Sequence, residues 1–171
     1  MDLLVYFPDI ALWAGRRMRC ALGRAGISTR KREGDGATPA GAWPMRRLLY
    51  RPDRLAPPVT RLPTIPLSLT DGWCDDPNDP NYNRPVTLPY AASAEALWRK
   101  DNVYDLIVPL GYNDDSIVPG LGSAIFLHLA KPNFAPTEGC IALSLADLVA
   151  ILGSADGGSR VVVHAVGAKP A

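Results

Sequence analysis

Cys140 follows Pro136-Thr137-Glu138-Gly139 and stands twelve positions after His128, which lies in the apolar run Ile125-Phe126-Leu127-His128-Leu129-Ala130. A thiol and an imidazole at this spacing offer nucleophilic acyl chemistry. A free thiol with a pKa of about 8.5 is only a few per cent thiolate at neutral pH. A neighbouring imidazole can take its proton and hold an imidazolium–thiolate pair. Gly139 leaves room for a carbonyl to lie against the backbone, where nearby N–H groups can receive an oxyanion. Thr137 is close enough in sequence to orient the base or close the pocket. A lone cysteine is ordinarily a packed, inert thiol. Cys20, in Met18-Arg19-Cys20-Ala21-Leu22, fits that description, and so does His164 as a packed histidine in the terminal apolar run. Cys140 does not, because the loop before it carries polar chemistry that packing does not require.

The elements that must position this pair are mostly strands. Leu3 to Phe7, Ile10 to Trp13 and Arg17 to Leu22 read as three short strands, the first two joined by Pro8-Asp9. Trp43 to Tyr50 reads as another. Tyr104 to Leu110 and Ser123 to Ala130 have the continuous apolar character of buried strands, and Arg160 to Val166 closes the chain. A strand suits the base, since a ladder-held backbone fixes the ring. Two short helices are expected. Ser93 to Lys100 is one, with Ser93 as N-cap. The other begins after Ser144, with Asp147 completing an acidic capping box, Leu145, Leu148, Val149 and Leu152 at helical spacing, and Gly153 at its end. Its dipole starts four residues beyond Cys140 and would help the thiol only weakly. The fold class is therefore mainly β.

Lys31 to Gly41 is a polar, glycine-rich loop. Ten of the seventeen prolines fall between residues 44 and 89. Proline lacks the N–H for ladder pairing and locks φ, so residues 44–90 read as a long, stiff, irregular excursion of the kind that often carries function.

The whole chain narrows the classes. With 171 residues, 47% apolar and 20% charged, it is long enough for one domain with a real core, residues 1–171. Eighteen Lys and Arg against seventeen Asp and Glu leave a net charge of +1, which implies no nucleic-acid partner and no affinity for acidic membranes. Three cysteines without CxxC spacing and only two histidines argue against a disulfide scaffold and against a metal centre. No apolar run approaches the ~20 residues of a membrane span. No export signal is evident, because Asp2, Pro8 and Asp9 interrupt the first apolar stretch and the first basic residue is Arg16.

Ser123-Ala124-Ile125-Phe126-Leu127-His128 followed by Thr137-Glu138-Gly139-Cys140-Ile141 resembles the catalytic signature of the L,D-transpeptidase (YkuD-type) family, a histidine and then [Ser/Thr]-x-Gly-Cys. Thr38-Pro39-Ala40-Gly41 is similar to that family's Thr-Pro-x-Gly hairpin element. The resemblance spans residues 3 to 166. It implies a β-sandwich catalytic domain carrying two short helices and the proline-rich excursion, with no cofactor. It also implies peptidoglycan stem peptides as donor and acceptor. Carried over by position, Cys140 is the nucleophile and His128 the general base. Thr137 takes the Ser/Thr place, and the Gly139 and Cys140 amides are the oxyanion donors. Three features depart from the pattern: a shorter His-to-Cys spacing, Glu138 where many members have His, and Ala142 where many have Asn or Arg. The chain further resembles a short, proline-rich branch found in Alpha- and Betaproteobacteria, some members of which are associated with 1,3-type cross-links.

Stem peptides carry carboxylates and a free amine, so polar and aromatic residues in the flanking loops are candidates to bind them. These are Trp73, Asp75, Tyr82, Asn83 and Arg84 in the excursion, Tyr112, Asn113 and Asp114 before the His128 strand, and Glu138 beside the nucleophile. Arg84 suits a carboxylate and Asp75 or Asp114 the side-chain amine. Turn capping is the competing role for each Asp and Asn, and Cys74 is either packed or a second thiol at the site. The leading expectation is a transpeptidase acting, as a monomer, in the periplasm or cell envelope. An L,D-carboxypeptidase that hydrolyses the same thioester, including in the cytoplasm, is the alternative. A non-catalytic peptidoglycan-binding module comes third.

Overall fold

The computed structural model describes residues 1–170. Strands β1 (Asp2–Tyr6), β2 (Ile10–Trp13) and β3 (Arg16–Ala21) form an antiparallel meander. Ala14 and Gly15, both at positive φ, make the two-residue turn between β2 and β3 that matches the twist of a hairpin. Next come β4 (Ile27–Ser28) and β5 (Thr38–Pro39), a small parallel pair, and then β6 (Gly41–Pro44) and β7 (Leu48–Tyr50). The excursion contributes β8 (Thr64–Pro66), β9 (Asp71–Cys74) and β10 (Pro85–Thr87). After it follow β11 (Ala94–Ala96), β12 (Leu106–Pro109), β13 (Phe126–Leu129) and β14 (Ile141–Leu143). Helix α1 (Leu145–Leu152) and β15 (Arg160–Val163) complete the chain.

Ten strands form one sheet in the order β6-β15-β1-β2-β3-β14-β13-β12-β7-β8. The sheet curls so that its halves face each other. Leu3, Val5, Val161 and Val163 from one half share a buried core with Leu48, Leu106, Val108, Leu127 and Ile141 from the other, and Leu148, Ile151 and Leu152 of α1 join it. This is the expected mainly β, sandwich-like architecture.

The strand period of two decides where the chemistry goes. On β12 and β13, Leu106, Val108, Leu127 and Leu129 point into that core, while Ile107 and Phe126 point the opposite way into a second apolar cluster with Trp73, Leu97, Tyr104 and Cys140. His128 shares the strand face of Phe126. Both faces of these strands are buried, which accounts for their unbroken apolar runs.

The cover over the second face is the excursion. Its three-stranded sheet, β10-β9-β11, brings Trp73 and Leu97 down onto Phe126 and Ile107. The excursion is thus more ordered than its proline content implies: most of its prolines sit in turns and loops, and those within strands, Pro44, Pro66 and Pro85, are terminal strand residues, where a missing N–H is tolerated.

Three local expectations are corrected. Ser93 to Lys100 is not helical: Glu95 pairs with Trp73 and Ala94 with Cys74, making β11. An isolated eight-residue helix is marginal, and an open strand edge offers better partners. Trp43 to Tyr50 is two strands in different halves of the sheet, β6 against β15 and β7 against β12, with Met45-Arg46-Arg47 crossing between them. Helix α1 is capped as expected, the Asp147 N–H donating to Ser144 Oγ at 3.1 Å, but its buried face is Leu148, Ile151 and Leu152; Leu145 and Val149 are exposed. A one-turn 3-10 segment at Pro132–Phe134 is the second helical element. Among the described residues no helix is long and apolar enough to cross a membrane.

Candidate active site

His128 and Cys140 line one cavity of about 500 Å3, β13 supplying the first and the approach to β14 the second. The strands run parallel, with Leu127 opposite Ile141 and His128 opposite Ala142. The pairing brings the two reactive side chains to the same mouth of the sheet.

The imidazole is fixed at both ends. Its Nδ1 lies 2.9 Å from the Leu129 carbonyl oxygen, which places the proton on Nδ1 and leaves Nε2 as the acceptor. Tyr104 meets the ring edge-on, with centroids 5.3 Å apart at 74°.

The thiol is held differently from the expected ion pair. The Cys140 S–H donates to the Ala124 carbonyl at 3.2 Å, and Sγ accepts the Phe126 N–H at 3.3 Å. Burial, then the charge of Glu95, pushes the thiol up to about 12, although the Phe126 N–H and Lys31 pull the other way. Burial brings His128 down to about 4, with Arg99 and Lys131 acting in the same direction. At neutral pH both groups are uncharged. A preformed imidazolium–thiolate pair is therefore absent from the free protein, since burial penalises both charged forms.

Thr137 anchors the loop that carries Cys140. Its Oγ1 donates to the Cys140 carbonyl at 2.7 Å and accepts the Gly139 N–H at 3.1 Å. Thr38, fully buried, reaches the same Cys140 carbonyl at 3.5 Å and accepts the Gly23 N–H at 2.9 Å. The Thr-Pro element is therefore a second clamp on the Cys140 backbone. Gly139 sits at φ 137°, and a Cβ there would lie 2.9 Å from the Ala37 carbonyl oxygen. The space that glycine leaves is occupied by the chain's own backbone, and its N–H is already engaged. Of the two amides expected to receive an oxyanion, this leaves Cys140's.

Among the residues expected to bind substrate, Asp75 and Glu138 line this cavity. Asp75 Oδ1 is buried without a hydrogen-bond partner, whereas Glu138 is largely exposed and pairs with Arg24 at 2.8 Å. Trp73, Asn83, Arg84 and Asp114 line a separate cavity behind Phe126. Asn83 has all four side-chain hydrogen bonds satisfied inside the protein. Its Oδ1 accepts from Trp73 Nε1 and the Ala124 N–H, and its Nδ2 donates to the Tyr112 and Asn113 carbonyls. Tyr82 donates to the Glu33 carboxylate and accepts the Gly122 N–H at 2.9 Å. The Tyr112 hydroxyl donates to Leu121 O at 2.7 Å, and Asn113 ties up the loop through Val118 and Gly122. These four polar side chains hold the frame around the site and turn no free group toward the Cys140 cavity. Cys74 is fully buried on β9 and does not line that cavity, and His164 stacks on Tyr6.

Residues of the cavity that the sequence did not single out include Lys31, Glu33, Glu95, Arg99, Tyr104 and Ser123. Lys31 Nζ donates to Asp35 Oδ1 at 2.5 Å, so the Gly-Asp-Gly loop positions a lysine at the rim. Glu95 accepts from the Tyr104 hydroxyl at 2.6 Å, and its carboxyl is pushed up by burial despite that bond. Its helix-like Ala-Glu-Ala setting concealed it.

The family model described as YkuD, L,D-transpeptidase catalytic domain, matches residues 4–163. Comparison with curated proteins and with solved structures gave no significant match. With the match running from β1 to the end of β15, the chain belongs to the YkuD family of L,D-transpeptidase catalytic domains.

Proposed function

We propose that this protein is a cysteine-dependent peptidoglycan L,D-transpeptidase acting in the cell envelope. The observation that carries the reading is the shared cavity of Cys140 and His128, with the Cys140 carbonyl clamped by Thr137 and Thr38. Substrate entry displaces water, and the thiol rotates from Ala124 O to His128 Nε2, which takes its proton as Sγ attacks the donor carbonyl. The Phe126 N–H follows the sulfur's growing charge, and the Cys140 N–H receives the oxyanion. Collapse expels the donor's leaving amine, which takes the proton from His128, and leaves a thioester. An acceptor amine then attacks the thioester, gives its proton to His128, and frees the thiol with a new amide bond formed.

Neutral starting groups suit this cycle. No charge develops on the Cys140–His128 pair until the donor carbonyl is there to be attacked. Asp75, with an unpartnered oxygen and just past the end of β9, and Glu95 on the neighbouring β11 both line the cavity and would receive the protonated amine of a stem peptide.

Incubation with purified disaccharide tetrapeptide, read by mass spectrometry, tests the proposal. Cross-linked dimers are expected, and their fragmentation separates 1,3 from 3,3 linkage. Monomers lacking the terminal residue would replace transfer by hydrolysis, and unchanged substrate would leave only binding. Retention of full activity by Cys140→Ala would overturn the nucleophile assignment.

A further inference from the structure

Behind the catalytic strand lies a second cavity of about 190 Å3 whose polar wall is cationic. Arg46, Arg47 and Arg84 all line it, against one carboxylate, Asp114. Arg46 is committed to that carboxylate through two bonds, Nε to Oδ2 at 2.7 Å and Nη2 to Oδ1 at 2.9 Å. Its position is built in: a Cβ on Gly111 would come within 2.9 Å of its guanidinium. Arg47 and Arg84 have no hydrogen bond or ion pair from their side chains among the described residues, although Arg47 is half-buried. A half-buried guanidinium without a partner is costly, and Arg47 has beside it at the same cavity the exposed, equally unpartnered guanidinium of Arg84, so the pair favours an anion there.

The floor of the cavity is apolar, formed in part by Trp73, Ile125 and Phe126. The Trp73 N–H is already given to Asn83, so the indole offers only its ring. An occupant therefore needs a planar anionic head on a body that tolerates apolar contact. A carboxylate on a peptide meets both needs, and the guanidinium fork matches it in two-point geometry. Ile125 lines this cavity and the catalytic one alike. The two therefore meet at one residue, immediately before the Phe126 amide that holds the Cys140 sulfur.

We infer that the Arg47–Arg84 cavity is an anion subsite that takes a carboxylate of the stem peptide away from the bond being broken. The inference rests on the peptide-processing reading above and adds a second anchoring point to it. Anchoring there would draw binding energy from a non-reacting part of the substrate and position the reacting part over Cys140.

Calorimetric titration of Cys140→Ala protein with a free tetrapeptide reads binding without turnover. Relative to that parent, adding Arg47→Gln and Arg84→Gln is expected to raise Kd by about tenfold or more. The same peptide with its carboxylates amidated is expected to bind the parent and the arginine-free protein alike. Arg47→Lys with Arg84→Lys keeps the charge without the fork and should fall between. Because neither arginine side chain makes a hydrogen bond or ion pair among the described residues, these substitutions remove no internal polar bond, and an unchanged thermal melt would verify that the fold is kept. Equal affinity of parent and double variant for the acid peptide, or equal affinity of the parent for acid and amidated peptides, would overturn the subsite. If the peptide binds through the arginines but the Cys140 protein never turns it over, the catalytic reading falls and the subsite stands.

Discussion

The Tyr104 hydroxyl donates to Glu95 Oε1 at 2.6 Å while the edge of its ring packs on His128. Glu95 belongs to the small sheet that covers the second face, and His128 to the large sheet, so this contact ties the cover to His128. It also places a carboxylate where it opposes thiolate formation at Cys140.

Removing that charge should make the thiol more acidic. In Glu95→Gln the amide oxygen still accepts from Tyr104, so the ring stays placed while the charge is lost. The rate of Cys140 alkylation by iodoacetamide against pH is expected to shift to lower pH in Glu95→Gln. Tyr104→Phe keeps the ring but frees the carboxylate, and should leave the alkylation curve of Cys140 at or above that of the parent. A Glu95→Gln curve superimposed on the parent's would remove Glu95 from the electrostatics of the nucleophile.

His128 sets the acid limit. With its folded value near 4 against an ordinary 6.5, the imidazole remains a competent base well below neutrality. We expect kcat/KM to keep no inflection near 6.5, and an acid limb only as pH approaches the folded value. Stability moves in a defined direction. Between pH 6.5 and 4 the unfolded chain binds a proton that the folded protein refuses, so stability is present above 6.5 and is lost as pH falls through 4. The loss from this group is about 3 kcal/mol at most. Glu95, raised by burial, works with the opposite sign, because its protonation on acidification favours the folded state. Urea unfolding of the parent and His128→Asn at pH 7, 5 and 4 isolates the histidine: the difference between them should shrink or reverse as pH falls.

Thr137 is expected to matter through position. Thr137→Val keeps the shape and loses the clamp on the Cys140 carbonyl and the acceptor for the Gly139 N–H. A displaced nucleophile costs on the order of a hundredfold in kcat. Thr137→Ser should restore most of it, since only the hydroxyl bonds. A valine variant with near-parental kcat would mean that Thr38 alone holds the loop.

The parts of this site that could be read in the sequence are those whose chemistry is carried by residue type. A thiol after glycine, an imidazole on an apolar strand and a Thr-Pro turn look the same before and after folding. Glu95 was hidden because Ala-Glu-Ala-Leu has helix-forming composition, and only the open edge of β9 converts it to a strand. The crossing at Met45-Arg46-Arg47 was hidden because one short stretch with no glycine or turn signal at the crossing feeds both halves of a curled sheet. The excursion's order was hidden because its strands are three or four residues long, too short for alternation to show. Asn83 drew attention as a polar residue in a functional loop, and three of its four hydrogen bonds go to backbone, which no residue pattern reveals.

Asn83 gives the final prediction. It sits at φ 55° and holds Ala124, itself at φ 51°, through the bond from the Ala124 N–H to Oδ1 at 3.0 Å. Ala124 presents the carbonyl that receives the resting thiol proton. Asn tolerates the left-handed region better than most residues, and its amide alone can offer two acceptor sites and two donors here. Asn83→Ala strands the Trp73 N–H, the Ala124 N–H and two carbonyls in a buried place. Each unsatisfied group costs roughly 1–3 kcal/mol, so about ten degrees or more should be lost in Tm at about 2–4 °C per kcal/mol. Asn83→Asp keeps both acceptor bonds and loses both donor bonds, so it should separate the two halves of the network. If Ala124 is what matters to the thiol, Asn83→Asp retains the pH profile of Cys140 alkylation while losing stability, and Asn83→Ala changes both. Equal alkylation profiles in all three proteins, measured where each is folded, would show that the Ala124 carbonyl is held without Asn83.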